Sequence, residues 1–400
     1  MEICSYKKCT GCFACVSACP RGCITMNEDK YGELHPFIEN AKCVRCGACQ
    51  KACPNNNNLV YNYPKLCYAS WITDEKKRRI CASGGIGTIM SEYIIRVRDG
   101  VLFGSRYDDD FTPIMTYTDD ISELEKYKGS RYVQSIVGSH TFNEVKYFLE
   151  NNRSVLFIGT PCQIAGLKCF LKKDYESLIT VDLICHGCCP TRYFKDEVKE
   201  ICSSKGIKEL FDIRFRGNDG NNYSFTFWGK KKVASNQKPK LLYKRNGYES
   251  YYLGGFLLGV NLRENCYTCT YARPERVSDI TIGDFIGLGK EIPFDYSTDN
   301  VSSVTINTEK GMKFYHMVSK YAPELMNIER AYEERLKYQA SLMKPFERHP
   351  LTDKFRSFYI DSGYIVASRK VLNRIIITHR IHRVINNVKR CLTFSFYSTK

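Results

Sequence analysis

The sequence begins without the apolar run that opens a secretory leader, because cysteines start at Cys4, where such a run would sit. Nor does any stretch approach the roughly 18 to 20 uninterrupted apolar residues that a membrane-crossing helix requires. Acidic residues are comparatively scarce, 43 against 59 lysines and arginines, which leaves a formal charge of +16. That excess favours an acidic partner, but no nucleic-acid recognition module accompanies it, so nucleic acid is not expected. These absences change how the 21 cysteines among 400 residues are read. With no leader they argue against a secreted disulfide scaffold and for metal ligation in a reducing, cytoplasmic compartment.

Apolar residues make up 43% and aromatics 13%, enough for real cores. A chain this long is expected to form two or three domains. The cysteines are concentrated at the start, where "CTGCFACVSACP" at 9–20 and "CVRCGACQKACP" at 43–54 repeat one rhythm, Cys-x2-Cys-x2-Cys-x3-Cys-Pro. Three closely spaced thiolates can wrap one corner of a cubane, and in two-cluster ferredoxins the fourth cysteine of each run serves the other cluster. One [4Fe-4S] cluster is thereby assigned Cys9, Cys12, Cys15 and Cys53, and the other Cys43, Cys46, Cys49 and Cys19. Structural zinc prefers two separated Cys-x2-Cys pairs and suits this pattern poorly. Cys4 and Cys23 fall outside the rhythm and read as packing residues. Residues 24–38 alternate as a short hairpin between the runs. Two clusters in tandem form a relay and imply a redox centre further along the chain.

The linker 55–64 separates this head from a body whose motifs fall at strand and helix ends. Ser83, Gly84 and Gly85 precede an amphipathic helix, a place that favours either a phosphate or an ordinary helix start. "GTPCQ" at 159–163 follows the buried strand Val155 to Ile158, and "CHG" at 185–187 follows another. A later Cys-x2-Cys, Cys266 and Cys269, precedes a strand ending in Gly283-Asp284-Phe285. Ligands in open α/β sheets sit at such carboxyl ends.

"SGG", "GSRY", "GTPCQIAGLK", "ICHG" and "CYTCTYARPERVSDITIGDF", in this order, resemble the beta subunit of coenzyme F420 hydrogenase and dehydrogenase, a family related to 7-hydroxymethyl chlorophyll a reductase. The resemblance covers about 67–360. It implies an α/β flavoprotein body behind an α+β, ferredoxin-like head, binding FAD and passing electrons between clusters and a two-electron acceptor. By motif, Ser83, Gly84, Gly85, Thr88, Ser130, Arg131, Tyr132, Gly159, Thr160 and Gln163 would line FAD. Arg131 stands where the family usually has lysine, a planar fork in place of a point charge. Arg131 and His186 are the candidate catalytic residues. Short family members lack the head yet hold a cluster, which suggests a third [4Fe-4S] site at Cys162, Cys185, Cys266 and Cys269. Cys81, Cys169, Cys188, Cys189 and Cys202 read as core or incidental thiols.

The expected activity is electron flow from a reduced ferredoxin or other acidic carrier, through the clusters, to FAD and then to a small organic or glycan-precursor substrate. An electron-transfer subunit of a larger complex, or an F420-dependent enzyme, are the alternatives. Domain limits of 1–62, 65–365 and 366–400 are expected. In the last segment, Leu372, Ile375, Ile376, His379, Val384, Ile385 and Val388 share a helical stripe with Arg374, Arg380, Arg383 and Lys389 mostly off it. That pattern suits either a peripheral membrane contact or a helix packed on the body.

Overall fold

The computed structural model describes residues 2–216, 224–233 and 238–397, with side chains inside the last helix described to 385. Residues group into two compact units, one of 1–191 with 263–346 and the other of 192–262 with 347–400. The head and most of the body therefore share one unit, and the C-terminal helix belongs to the other.

In the head, β1 (Ile24–Glu28) and β2 (Leu34–Ile38) pair antiparallel, as the alternation predicts. Each cysteine run wraps into a loop and a one-turn helix, Ala14–Ser17 and Ala48–Lys51. The repeat is visible in the backbone. Gly11 and Arg45 occupy equivalent positions with φ of 64° and 53°, and Phe13 and Gly47 do the same at 66° and 73°. These left-handed residues turn the chain so that successive thiols converge.

The first unit is built on an eight-stranded sheet. Its strands are β3 (Leu66–Ile72), β4 (Val101–Tyr107), β5 (Pro113–Thr118), β6 (Val155–Gly159) and β7 (Leu178–Leu183). β8 (Glu209–Arg214), β9 (Ser224–Lys230) and β10 (Lys240–Asn246) form a separate antiparallel sheet in the second unit. The first sheet is completed by β11 (Ile280–Asp284), β12 (Ser302–Ile306) and β13 (Leu325–Glu329), in the order β13-β3-β12-β11-β7-β6-β4-β5. β4, β6, β7 and β11 run parallel; β12 is antiparallel to β11 and to β3, so β3 shares their direction. The run Val155–Ile158 is apolar throughout because helices cover both faces of the sheet, leaving no wet side for polar alternation. One face packs Phe103, Phe142 and Phe157, the other Ile89, Ile94 and Leu156. The α/β class follows from this arrangement.

The helix Thr352–Tyr397 breaks at Gly363, whose φ is 75°. Leu372 and Ile376 are buried, Leu372 against Gly255 of the helix Tyr251–Leu257. Arg383 pairs with Glu249 at 2.7 Å and Arg369 with Glu200 at 2.6 Å, so part of the basic face is spent inside the unit. Ile377, Ile381, Val384 and Ile385 remain exposed. The side chains of Val388 and Lys389 lie outside the described residues. No described helix is long and apolar enough to cross a membrane.

Glu197, on the helix Thr191–Lys205, is 4% exposed. Burial pushes its carboxyl up to about 7, against a partial offset from the Tyr252 amide that donates to it. An acid with a raised folded-state value holds its proton longer folded than unfolded. Its contribution is therefore complete below about pH 4.5 and is lost as pH rises through about 7. Glu197→Gln is expected to stabilise this unit at pH 8 by up to about 3 kcal/mol and to change little at pH 4.5, at ~1.4 kcal/mol per pH unit. Urea melts at the two pH values check both halves of that statement.

Candidate redox site

The carboxyl ends of β3, β4, β6, β7 and β11 lie along one edge of the sheet, and the motif residues follow from them. β6 ends at Gly159 and leads into the helix Pro161–Leu171 through a capping box. Gln163 Oε1 accepts the Thr160 amide at 2.9 Å, and proline occupies the first turn. Cys162 sits in that first turn. β7, paired with β6 through Gly159 and Asp182, leads into Cys185, His186 and Cys188. Cys266 and Cys269 lie in the short helix Glu264–Thr268 and at its end.

These cysteines meet. The Cys185 and Cys188 thiols are hydrogen-bonded to each other, and the Cys188 backbone amide donates to Cys266 sulfur. Cys162 feels the charge of Cys185 and Cys269. Burial pushes the Cys162 thiol up to about 12 and the Cys269 thiol to about 11. A dry nest of thiols has no reason to ionise unless a metal core supplies positive charge, and thiolates are what such a core binds. The donor set therefore fits an iron–sulfur cluster. The four cysteines expected from the sequence are together, and a fifth, Cys188, joins them. Its Cys-x2-Cys spacing to Cys185 was the signal that could have marked it.

In the head, Cys9, Cys12, Cys15 and Cys53 lie at the side facing the body, and burial pushes Cys12 up to about 12. Cys12 packs on the helix Pro161–Leu171, which bears Cys162. A Cβ built on Gly166 would stand 2.9 Å from Cys12 Sγ and 3.5 Å from Ala14 Cβ, so only glycine admits the head there. Cys43, Cys46, Cys49 and Cys19 form the other set, with Cys46 exposed. Cys4, read as a packing residue, hydrogen-bonds with Cys9 and Cys53, and Cys23 Sγ lies 3.4 Å from Cys19 Sγ. Each cluster site thus carries a fifth thiol at its rim.

The residues expected to line FAD divide by what already occupies them. Gly84 donates its amide to Ser302 Oγ at 2.9 Å and accepts from the Ile72 amide. A Cβ on Gly84 would stand 2.3 Å from Ser70 O, so strand packing alone requires this glycine. Gly85, with φ of 89°, presses on Ile72 in the same way. Thr88 Oγ1 lies 3.4 Å from Cys81 Sγ. Ser83 Oγ, by contrast, is buried with no hydrogen-bond partner, a polar atom a cofactor would satisfy. Ser130, Arg131 and Tyr132 are half-buried in the loop before Val133. Arg131 donates to Lys126 O at 2.6 Å and lies over the Tyr107 ring at 4.8 Å. The His186 ring lies 4.3 Å from that of Phe346, centroid to centroid. Gln163 also donates to Ser135 O at 3.2 Å.

Parts of the chain are similar to known proteins. Residues 8–57 match the 4Fe-4S dicluster domain, and 152–330 match the family described as the C terminus of the coenzyme F420 hydrogenase/dehydrogenase beta subunit. Among curated proteins, a coenzyme F420-dependent sulfite reductase of Methanocaldococcus jannaschii is 23% identical over 91% of this chain. The match covers 54% of that relative, so the chain spans about half its length. A chain of the F420-reducing [NiFe] hydrogenase complex from Methanosarcina barkeri is 17% identical, with a TM-score of 0.39, over 78% of this chain and 93% of that one.

Proposed function

We propose that this chain, a 4Fe-4S dicluster head joined to a body of the coenzyme F420 hydrogenase/dehydrogenase beta-subunit family, is an iron–sulfur flavoprotein oxidoreductase. Electrons would enter from a reduced ferredoxin or another acidic carrier and leave as a pair to a small-molecule acceptor. The observation that carries this reading is the contact of Cys12 with the helix that bears Cys162, which sets the head's inner cysteines against the body's own. The outer set, with exposed Cys46, is flanked by exposed Arg21, Arg45 and Lys51, a surface suited to an acidic donor. Cys9, Cys12, Cys15 and Cys53, then Cys43, Cys46, Cys49 and Cys19, would hold the head clusters. Cys162, Cys185, Cys266 and Cys269 would hold a third. Ser83 and the first turn of the helix Ile86–Arg96, with the 130–132 loop, would receive FAD. When bound, clusters carry single electrons and a flavin converts them to a hydride pair.

Anaerobic purification followed by iron, sulfide and flavin analysis tests this directly. About twelve irons and one FAD per chain are expected, at four irons per cubane. About eight irons would remove the third cluster, and a flavin-free protein would remove the oxidoreductase reading. Turnover by the isolated chain with reduced ferredoxin separates an enzyme from an electron-transfer subunit. The activity named for the M. jannaschii relative makes the deazaflavin coenzyme a second acceptor to assay. Its sulfite reduction is not carried over, because the chain spans about half of that relative's length.

The exposed row Ile377, Ile381, Val384 and Ile385, with Lys370 and Arg374 beside it, is the face that would meet an anionic membrane. Co-sedimentation with phosphatidylserine vesicles, lost on Ile381→Glu, is the expected result. Equal recovery with neutral vesicles would speak against it.

A further inference from the structure

Arg263 is among the most buried side chains in the protein, 1% exposed. A guanidinium cannot shed its charge, so burying one demands compensation. Arg276, equally buried, shows the usual solution: its Nη2 is 3.0 Å from the Asp182 carboxylate. Arg263 has no such partner. It donates to Gln134 Oε1 at 2.7 Å, Asn265 Oδ1 at 3.2 Å, Leu34 O at 3.2 Å and Cys9 O at 3.3 Å, all neutral. Glu33, the buried carboxylate near by, gives one oxygen to the Glu264 amide and holds the other 3.8 Å from His35. Among the described residues none places a carboxylate within ion-pair distance of Arg263.

The negative charge that Arg263 lacks is available on either side of it. Its side chain holds the Cys9 carbonyl, in the head's inner set. Its backbone accepts from the Cys266 amide at 3.0 Å and donates to Cys188 O at 2.9 Å, in the body's set. Gly11 fits this junction for the same reason: a Cβ there would stand 2.6 Å from Gln134 Nε2 and 3.3 Å from Arg263 Nη2. In the second run, by contrast, the equivalent position is Arg45, whose full side chain is exposed. The junction is therefore specific to the inner set.

We infer that Arg263 is the shared counter-charge of two neighbouring iron–sulfur clusters, the head's inner one and the body's, and that it sets the potentials of both. A cubane held by four thiolates is negative, and reduction adds one electron and one further negative charge, which a fixed cation opposite it stabilises. Arg263 is in this sense a positioning and tuning residue, touching neither donor nor acceptor. The inference rests on the three-cluster reading above.

EPR-monitored redox titration of the holoprotein tests it, with the outer cluster at Cys19, Cys43, Cys46 and Cys49 as internal reference. Arg263→Gln should make reduction of the two inner clusters harder by about tenfold, ~59 mV for one electron, and leave the outer cluster in place. Arg263→Lys should restore most of the shift. Because removing Arg263 also removes hydrogen bonds, Gln134→Glu supplies an isosteric second test. It places a carboxylate on the guanidinium, cancels its field, and should shift the same two clusters in the same direction. Unmoved inner potentials in Gln134→Glu, or an equal shift of all three clusters, would overturn the inference. Iron counted in the same samples keeps the two claims apart: eight irons would defeat the third cluster, while the inner head cluster would still report on Arg263.

Discussion

Cys185→Ser is expected to strip about four irons from the purified protein, a third of the total, while the head keeps about eight. Cys188→Ser is expected to keep the full count. The two thiols are three residues apart and hydrogen-bonded to each other, yet the geometry gives them different work. Cys188 turns its backbone amide toward Cys266 sulfur, as a residue that serves ligating sulfurs does. The Cys185 backbone emerges directly from β7, whose neighbour β6 delivers Cys162, so the two are held by the most rigid part of the sheet. Iron analysis and the EPR spectrum of the reduced protein distinguish the variants. The reverse result, iron lost from Cys188→Ser and kept in Cys185→Ser, would exchange their roles without altering the site.

Much of this candidate site was legible in the sequence because its candidate ligands come in local runs. The three-and-one cysteine rhythm fixes each head loop by short-range geometry, and Phe13 and Gly47 repeat the same left-handed turn. The apolar strand Val155 to Ile158 and the Thr160–Gln163 cap are likewise local, so the place of Cys162 could be predicted. The residues that could not be predicted act across the fold. Arg263 and Cys9 are 254 positions apart, and Asp182 and Arg276 are 94 apart. Neither pair leaves a periodic or spaced trace. Gly84 shows the opposite limit. A glycine before a helix suggests an approaching phosphate, whereas here the Ser70 carbonyl already fills the space a Cβ would need. The C-terminal stripe divides for a similar reason: Leu372 and Ile376 are buried in their own unit, and Val384 and Ile385 have no counterpart surface among the described residues.

Asp182→Asn should be the most destabilising single-atom change in the first unit, by about 3–5 kcal/mol, because it leaves the Arg276 guanidinium buried and uncompensated. Both side chains are essentially inaccessible, 0% and 2% exposed. The pair does more than fill the core. Asp182 lies on β7 between Gly159 of β6 and Thr281 of β11, three residues before Cys185. Arg276 also donates to Tyr271 O and Arg273 O, so it fastens the segment after Cys269 to the central strand. Breaking the pair should therefore loosen one side of the body's cysteine nest, with iron lost from that site before the unit unfolds. Replacing both partners by apolar residues of similar volume, Asp182→Leu with Arg276→Met, should recover most of the stability, since the desolvation cost of both charges disappears. Denaturant melts give the first quantity and iron content the second. Recovery of stability without recovery of iron would show that the charges of the pair, and not only its packing, are needed to hold the site in order.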